Sequence, residues 1–135
     1  MNAPQSSQPR HLVAVWFADV VGYSRLASAN EDGALRLVGR FQTCVRGAVE
    51  RHGGRVVKFV GDAALAEFSS TDAAARSALL LLEEFQEGSH TQLRIGLHVG
   101  DVVPQDDGDV MGDGVNLAVR LQAEAEPGEV LVSED

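Results

Sequence analysis

Apolar positions in this chain follow two rhythms, one strand-like and one helical, and two aspartates stand where strand-like runs end. Residues 12–18, LVAVWFA, form an unbroken β-branched and aromatic run that predicts a buried strand. A helical stretch begins after Gly22. Asn30 predicts the N-cap of a second helix, with Glu31 and Asp32 in a first turn whose dipole favours negative charge. Leu35, Val38, Gln42, Val45 and Val49 keep a 3.6-residue period through it, and Gly53-Gly54 ends it. Residues 55–60 and 63–68 predict a hairpin closed at Gly61-Asp62. Thr71 predicts the cap of a third helix, with Ala75, Ala78, Leu79, Leu82 and Phe85 as its apolar stripe. Residues 92–99 alternate, placing Leu93, Ile95, Leu97 and Val99 on one face and Arg94, Gly96 and His98 on the other. The polar turn PQDDGD follows, then a fourth helix over about 114–125 and a strand at 129–132.

The order β-α-β-β-α-β over residues 12–99 predicts an α+β fold. It is that of a ferredoxin-like (βαββαβ) palm, an antiparallel sheet with helices on one face. The other face of such a sheet needs a cover. Residues 1–11 predict a disordered N-terminal tail, and residues 12–135 one domain with a real core. The chain stops directly after the strand-like run GEVLVS, as though a C-terminal part were missing; a piece of a longer protein and a short natural one both fit.

Composition narrows the partners. A net charge of -9 argues against nucleic acid or an anionic membrane, so a polyphosphate site must gather its positive charge locally. Cys44 is alone, no apolar run reaches membrane-spanning length, and the start carries no signal-peptide core, which together predict a cytoplasmic location without membrane insertion.

The candidate chemistry rests first on Asp19 and Asp62. Asp19 closes the first strand and Asp62 sits in the hairpin turn. A carboxylate at the rim of a core is costly to desolvate, yet two of them on neighbouring strands suit divalent cations held against a polyphosphate. Either aspartate alone reads as an ordinary turn or cap residue.

Five segments then carry a resemblance. FADVVGYS (17–24), KFVGD (58–62), LRIGLHVGDVV (93–103), DVMGDGVNLAVRL (109–121) and PGEVLVSE (127–134) resemble, in that order and spacing, the catalytic domain of class III nucleotidyl cyclases of the bacterial adenylyl cyclase type. The resemblance implies conversion of ATP to 3′,5′-cyclic AMP and pyrophosphate by in-line attack of the ribose 3′-hydroxyl. It implies two Mg²⁺ (or Mn²⁺) ions per active site on Asp19 and Asp62. It implies that Lys58 and Asp109 read the base, Lys58 donating to adenine N1 and Asp109 accepting from the 6-amino group. Guanine reverses both polarities, and each unpaired group costs about 1–3 kcal/mol. The backbone amides of Val20, Val21, Gly22, Tyr23 and Ser24 would face phosphate, Gly22 allowing close approach. Asn116 would orient the ribose, and Arg120, one turn further on the same face, would stabilise charge on the transferring phosphate. Arg94 matches a residue used on the β- and γ-phosphates.

Plainer readings stand beside these. Lys58 can be a solvated edge lysine, Asp109 a turn residue beside Asp106 and Asp107, and Arg94 half of a structural ion pair. His98 and Trp16 read as packed residues. The resemblance further implies a homodimer with composite sites: Asp19, Asp62 and Arg94 from one protomer, Lys58, Asp109, Asn116 and Arg120 from its partner. Two departures are visible, a short segment between Val103 and Asp109 and no C-terminal lysine for the triphosphate. The competing readings are a catalytically weak or inactive nucleotide-binding, dimerising regulatory module, a guanylyl cyclase, and a diguanylate cyclase, whose GGDEF-like hairpin FVGDAAL does not supply.

Overall fold

The computed structural model describes residues 11–87 and 91–134; most of the expected N-terminal tail lies outside the described residues. The elements are β1 (His11–Val20), α1 (Tyr23–Ala29), α2 (Glu31–Glu50), β2 (Arg55–Val60), β3 (Ala63–Phe68), α3 (Thr71–Glu87), β4 (Leu93–Pro104), β5 (Val110–Met111), α4 (Asp113–Glu124) and β6 (Val130–Glu134). The sheet runs β2-β3-β1-β4-β5 with antiparallel pairing throughout, which is the ferredoxin-like layer the element order predicts. β6 adds a parallel strand beside β4, reached through α4.

Alternation along β1 decides what each face of the sheet meets. Ala14, Trp16, Ala18 and Val20 point into the main core with Phe41, Val45 and Val49 of α2 and Ala78, Leu81 and Phe85 of α3. Leu93, Ile95 and Leu97 of β4 join them. Trp16 is fully buried, and its indole N–H donates to Ser77 Oγ at 2.9 Å, which satisfies the polar tip of a large apolar side chain. Arg40 ties the two helices together by donating to the carbonyls of Glu84 and Phe85 at 2.9 and 2.7 Å.

The opposite face is not bare within one subunit. Val13, Val15 and Phe17 of β1 meet a second cluster with Leu65, Val102, Val110, Val115 and Ala118, so α4 lies across this side. Gly96 is why it can. A Cβ at that position would stand inside contact distance of the Gln122 backbone nitrogen and the Ala118 carbonyl, so the helix backbone rests directly on the strand.

Several details differ from the sequence expectation. The buried stripes of α2 and α3 centre on Phe41 and on Leu81, leaving Leu35 and Leu79 exposed at 63% and 60%. Both leucines keep the period but sit on the flank of the stripe. Ser70, not Thr71, caps α3 by accepting from the Ala73 amide at 3.0 Å. β4 continues to Pro104, past Gly100 and Asp101 where the alternation breaks, and the two-residue β5 gives no periodic signal at all. Asn30 does cap α2, its side chain accepting from the Gly33 amide at 2.9 Å.

Candidate active site

Asp19 is the ninth residue of β1 and stands opposite both Ala63 of β3 and Arg94 of β4. An odd position in that strand puts its side chain on the α4 side of the sheet. Arg94 Nη2 donates to Asp19 Oδ2 at 3.4 Å, a long contact between partly exposed groups. The other carboxylate oxygen, Oδ1, is buried with no hydrogen bond of good geometry, the Gln122 side chain lying near enough only to favour its charge weakly. Burial therefore pushes the Asp19 carboxyl above the ordinary carboxylate range. Arg94 opposes the shift, and the negative charge of Asp62 adds to it.

Asp62 lies in the β2–β3 turn, and its carbonyl accepts from the Val20 amide at 3.3 Å. That bond fastens the hairpin tip to the end of β1, so the two aspartates predicted from the sequence are brought together. No group of three or more metal-binding side chains occurs among the described residues. A cation here would thus complete its shell with backbone, water and substrate oxygens, as hard cations at polyphosphate sites do. A buried carboxylate oxygen with no hydrogen bond of good geometry, beside a second carboxylate, fits such a cation.

The loop that follows corrects part of the phosphate expectation. The Val20 amide is engaged by Asp62, and the Val21 amide donates to the Gln92 carbonyl at 2.9 Å. Neither faces an anion; both stitch the strand ends. Gly22, Tyr23 and Ser24 remain as the amides at the start of α1. Gly22 takes a left-handed backbone, φ 79°, that favours glycine, and a Cβ there would meet no protein atom within 4 Å.

Lys58 and Asp109 are 51 residues apart and form an ion pair, Nζ to Oδ2 at 2.9 Å. A shift in the β2–β3 register between Val56 and Lys58 makes this possible. Val56 and Phe59 pack into the main core, while Lys58 is opposite Leu65, whose side chain belongs to the α4-side cluster. The turn 105–109 resolves which acidic residue takes part. Asp107 is used internally, accepting from the Asp109 amide at 3.0 Å, and Asp109 is the one that reaches Lys58. The Lys58 hydrogen bond holds the Asp109 carboxyl below the ordinary range. Arg55, which sequence reasoning passed over, donates to the Gly108 carbonyl at 2.8 Å and to Glu67 Oε1 at 2.7 Å. A basic residue three places before Lys58 carries no periodic signal, so only the fold reveals it.

Asn116 and Arg120 do share one face of α4, and both are exposed. The buried face of that helix is Gly114, Ala118 and Gln122. The pair therefore points away from the sheet of its own subunit. His98 is buried with Nδ1 3.0 Å from Ser133 Oγ, a packed histidine as expected. Cavities of about 250 and 330 Å³ are lined by residues such as Gly54, Glu67 and Val102, or Arg46, Val49 and Val56. Neither of these two cavities includes Asp19, Asp62, Asn116 or Arg120.

Comparison with known proteins bears on family and fold. The family model described as the adenylate and guanylate cyclase catalytic domain matches residues 5–135. An adenylate cyclase of Streptomyces coelicolor is 41% identical over 122 residues, covering 89% of this chain and 32% of that protein. The chain spans 22% to 32% of the length of the curated relatives it matches. The solved adenylate/guanylate cyclase/hydrolase from Silicibacter pomeroyi is 40% identical, with a TM-score of 0.83 over 93% of this chain and 77% of that one. The monomeric guanylyl cyclase domain of the RhoGC fusion protein from Blastocladiella emersonii shares the fold. Its TM-score is 0.84 at 22% identity, over 93% and 83% of the two chains.

Proposed function

The chain belongs to the adenylate and guanylate cyclase catalytic domain family, and from that premise we propose that it is an adenylyl cyclase, forming 3′,5′-cyclic AMP and pyrophosphate from ATP. The observation that carries the choice of base is the Lys58–Asp109 pair, a donor and an acceptor held 2.9 Å apart. Adenine offers an acceptor at N1 beside a donor at its 6-amino group, and so matches that pair. Guanine presents the reverse and would leave both side chains unpaired, at about 1–3 kcal/mol each.

Two Mg²⁺ (or Mn²⁺) ions on Asp19 and Asp62 would supply Lewis-acid chemistry, polarising the triphosphate and the ribose 3′-hydroxyl. The residues of the chain do the rest by position and charge. Arg94, which lies against Asp19, would fork its guanidinium onto the oxygens of the terminal phosphates. Gly22, Tyr23 and Ser24 present amides beside it. Arg120 places a permanent positive charge where negative charge builds on the transferring phosphate, and Asn116 holds the ribose so that the 3′-hydroxyl is in line. Because Asn116 and Arg120 face outward from their own sheet, the reading places them in the site of a second copy, with Lys58 and Asp109. The active form is a homodimer with two composite sites.

Measuring cyclic product from ATP and from GTP, with Mg²⁺ and with Mn²⁺, tests the proposal. Cyclic AMP from ATP well in excess of cyclic GMP from GTP is expected. Absence of product from folded dimer, with metal-dependent ATP binding seen by calorimetry, would favour the regulatory-module reading. The guanylyl reading draws on a fold neighbour of that activity and would be upheld by preference for GTP.

A further inference from the structure

We propose that Arg55 is a positioning residue for base recognition, a strut that holds Asp109 at base-pairing distance from Lys58; the proposal rests on the adenylyl cyclase reading above. Asp109 ends the turn between β4 and β5; the next residue, Val110, is buried in the α4-side cluster, but the turn itself projects from a short strand. β5 has two residues, and only Val103↔Met111 and Pro104↔Val110 pair it to β4. The turn is tied within itself by the Gln105 amide to the Asp109 carbonyl at 2.8 Å and the Gly108 amide to the Gln105 carbonyl at 3.1 Å. Internal bonds fix its shape but not its distance from β2.

Two side chains fix that distance. One is Lys58, through its ion pair with Asp109. The other is Arg55, whose Nη1 donates to the Gly108 carbonyl at 2.8 Å while its Nε donates to Glu67 at 2.7 Å. Glu67 is opposite Arg55 on β3, so the guanidinium is anchored to the sheet on one side and grips the turn on the other. A planar fork with fixed donor directions suits this use in a way an ammonium does not.

The division of labour follows from what an incoming base must do. Lys58 and Asp109 have to release each other for adenine to enter between them. At that moment their ion pair no longer holds the turn, and Arg55 is the side chain whose hydrogen bond still ties the Gly108 carbonyl to β2. Asp109 Oδ1 also accepts from the Val110 amide at 2.7 Å, which fixes the carboxylate's direction relative to the turn that Arg55 carries. Without the strut the acceptor drifts, and the site loses the spacing that distinguishes adenine from guanine.

The experiment compares wild type with Arg55→Gln, Arg55→Lys and Glu67→Gln, using Arg76→Gln as a control, since Arg76 makes a surface ion pair with Asp72 on α3, away from the turn. For Arg55→Gln we expect KM for ATP to rise ~10-fold with kcat within about twofold, and the ATP-over-GTP ratio of kcat/KM to fall by a similar factor. Glu67→Gln should follow in the same direction, Arg55→Lys should recover part of the loss, and Arg76→Gln should change neither. In the nucleotide-free protein, hydrogen exchange of the Val110 amide should quicken in Arg55→Gln while thermal melting confirms the fold. An unchanged ratio, or unchanged Val110 exchange, overturns the strut. Wild type that makes no cyclic nucleotide overturns the cyclase reading instead, and the exchange measurement still decides what Arg55 does.

Discussion

Asp19 is in tension with its surroundings. Its carboxyl is partly buried, one oxygen has no hydrogen bond of good geometry, and Asp62 repels it. A folded-state value above the unfolded one means the folded chain holds the proton more tightly. The resulting penalty is absent below the unfolded value, grows as pH rises from there towards the folded one, and is complete above it. Asp19→Asn should therefore raise the melting temperature of the metal-free protein by a few degrees at pH 7, with the gain shrinking towards roughly pH 4. The same change should lower metal-dependent turnover by about 100-fold or more. A melt and a rate assay on one preparation check both signs. Asp109 behaves in the opposite sense. Its value is lowered, so its contribution is present above the unfolded value and lost as pH falls through the folded one. That pair is exposed enough for the effect on stability to be slight. On the adenylyl cyclase reading its importance lies in selection: Lys58→Glu should erode the preference for ATP, as read by paired rates with the two triphosphates. Arg120→Lys keeps the charge but loses the fork, and kcat should fall by about 100-fold with KM little changed.

At the scale of elements, α4 is the part on which the site depends and the part the sequence describes least. Its helical period and its Asn116–Arg120 spacing were legible, because both are local. Its seat was not, because a helix on the second face is decided by contacts between residues far apart in the chain. Gly96 is the trace of that contact in the sequence, yet within an alternating strand it reads only as a missing side chain. Gly96→Ala should cost about 1–3 kcal/mol or more from overpacking against helix backbone. The melting temperature should drop by several degrees, and turnover should fall because Asn116 and Arg120 shift with the helix. The strands of the palm were clear for the opposite reason. Unbroken apolar runs in β1 and clean alternation in β4 report burial directly. Where the signal is a single hydrogen bond, as in the Ser70 cap or the engaged amides of Val20 and Val21, pattern alone placed it wrongly by a residue or gave the group to a ligand. The pairing of Lys58 with Asp109 was implied by family resemblance, but the register shift that permits it has no mark in the residues themselves.

For the whole molecule, the composite reading makes a prediction that no single-subunit scheme shares. A protein with Asp19→Asn and another with Arg120→Ala should each be inactive. Mixed in equal amounts and allowed to exchange, half of the dimers are mixed, and each has one intact site of two. Activity should return to roughly a quarter of wild type. No recovery after verified subunit exchange would count against shared sites. None of the helices among the described residues is long and apolar enough to cross a membrane.

An arginine aimed outward from its own subunit also bears on control. Where most chains are single, output should grow as the square of their amount, and where most are paired it should grow only in proportion. Anything that tethers two copies, or holds them apart, then sets the rate without touching the chemistry, because it changes how often one copy's α4 meets the other's strand ends.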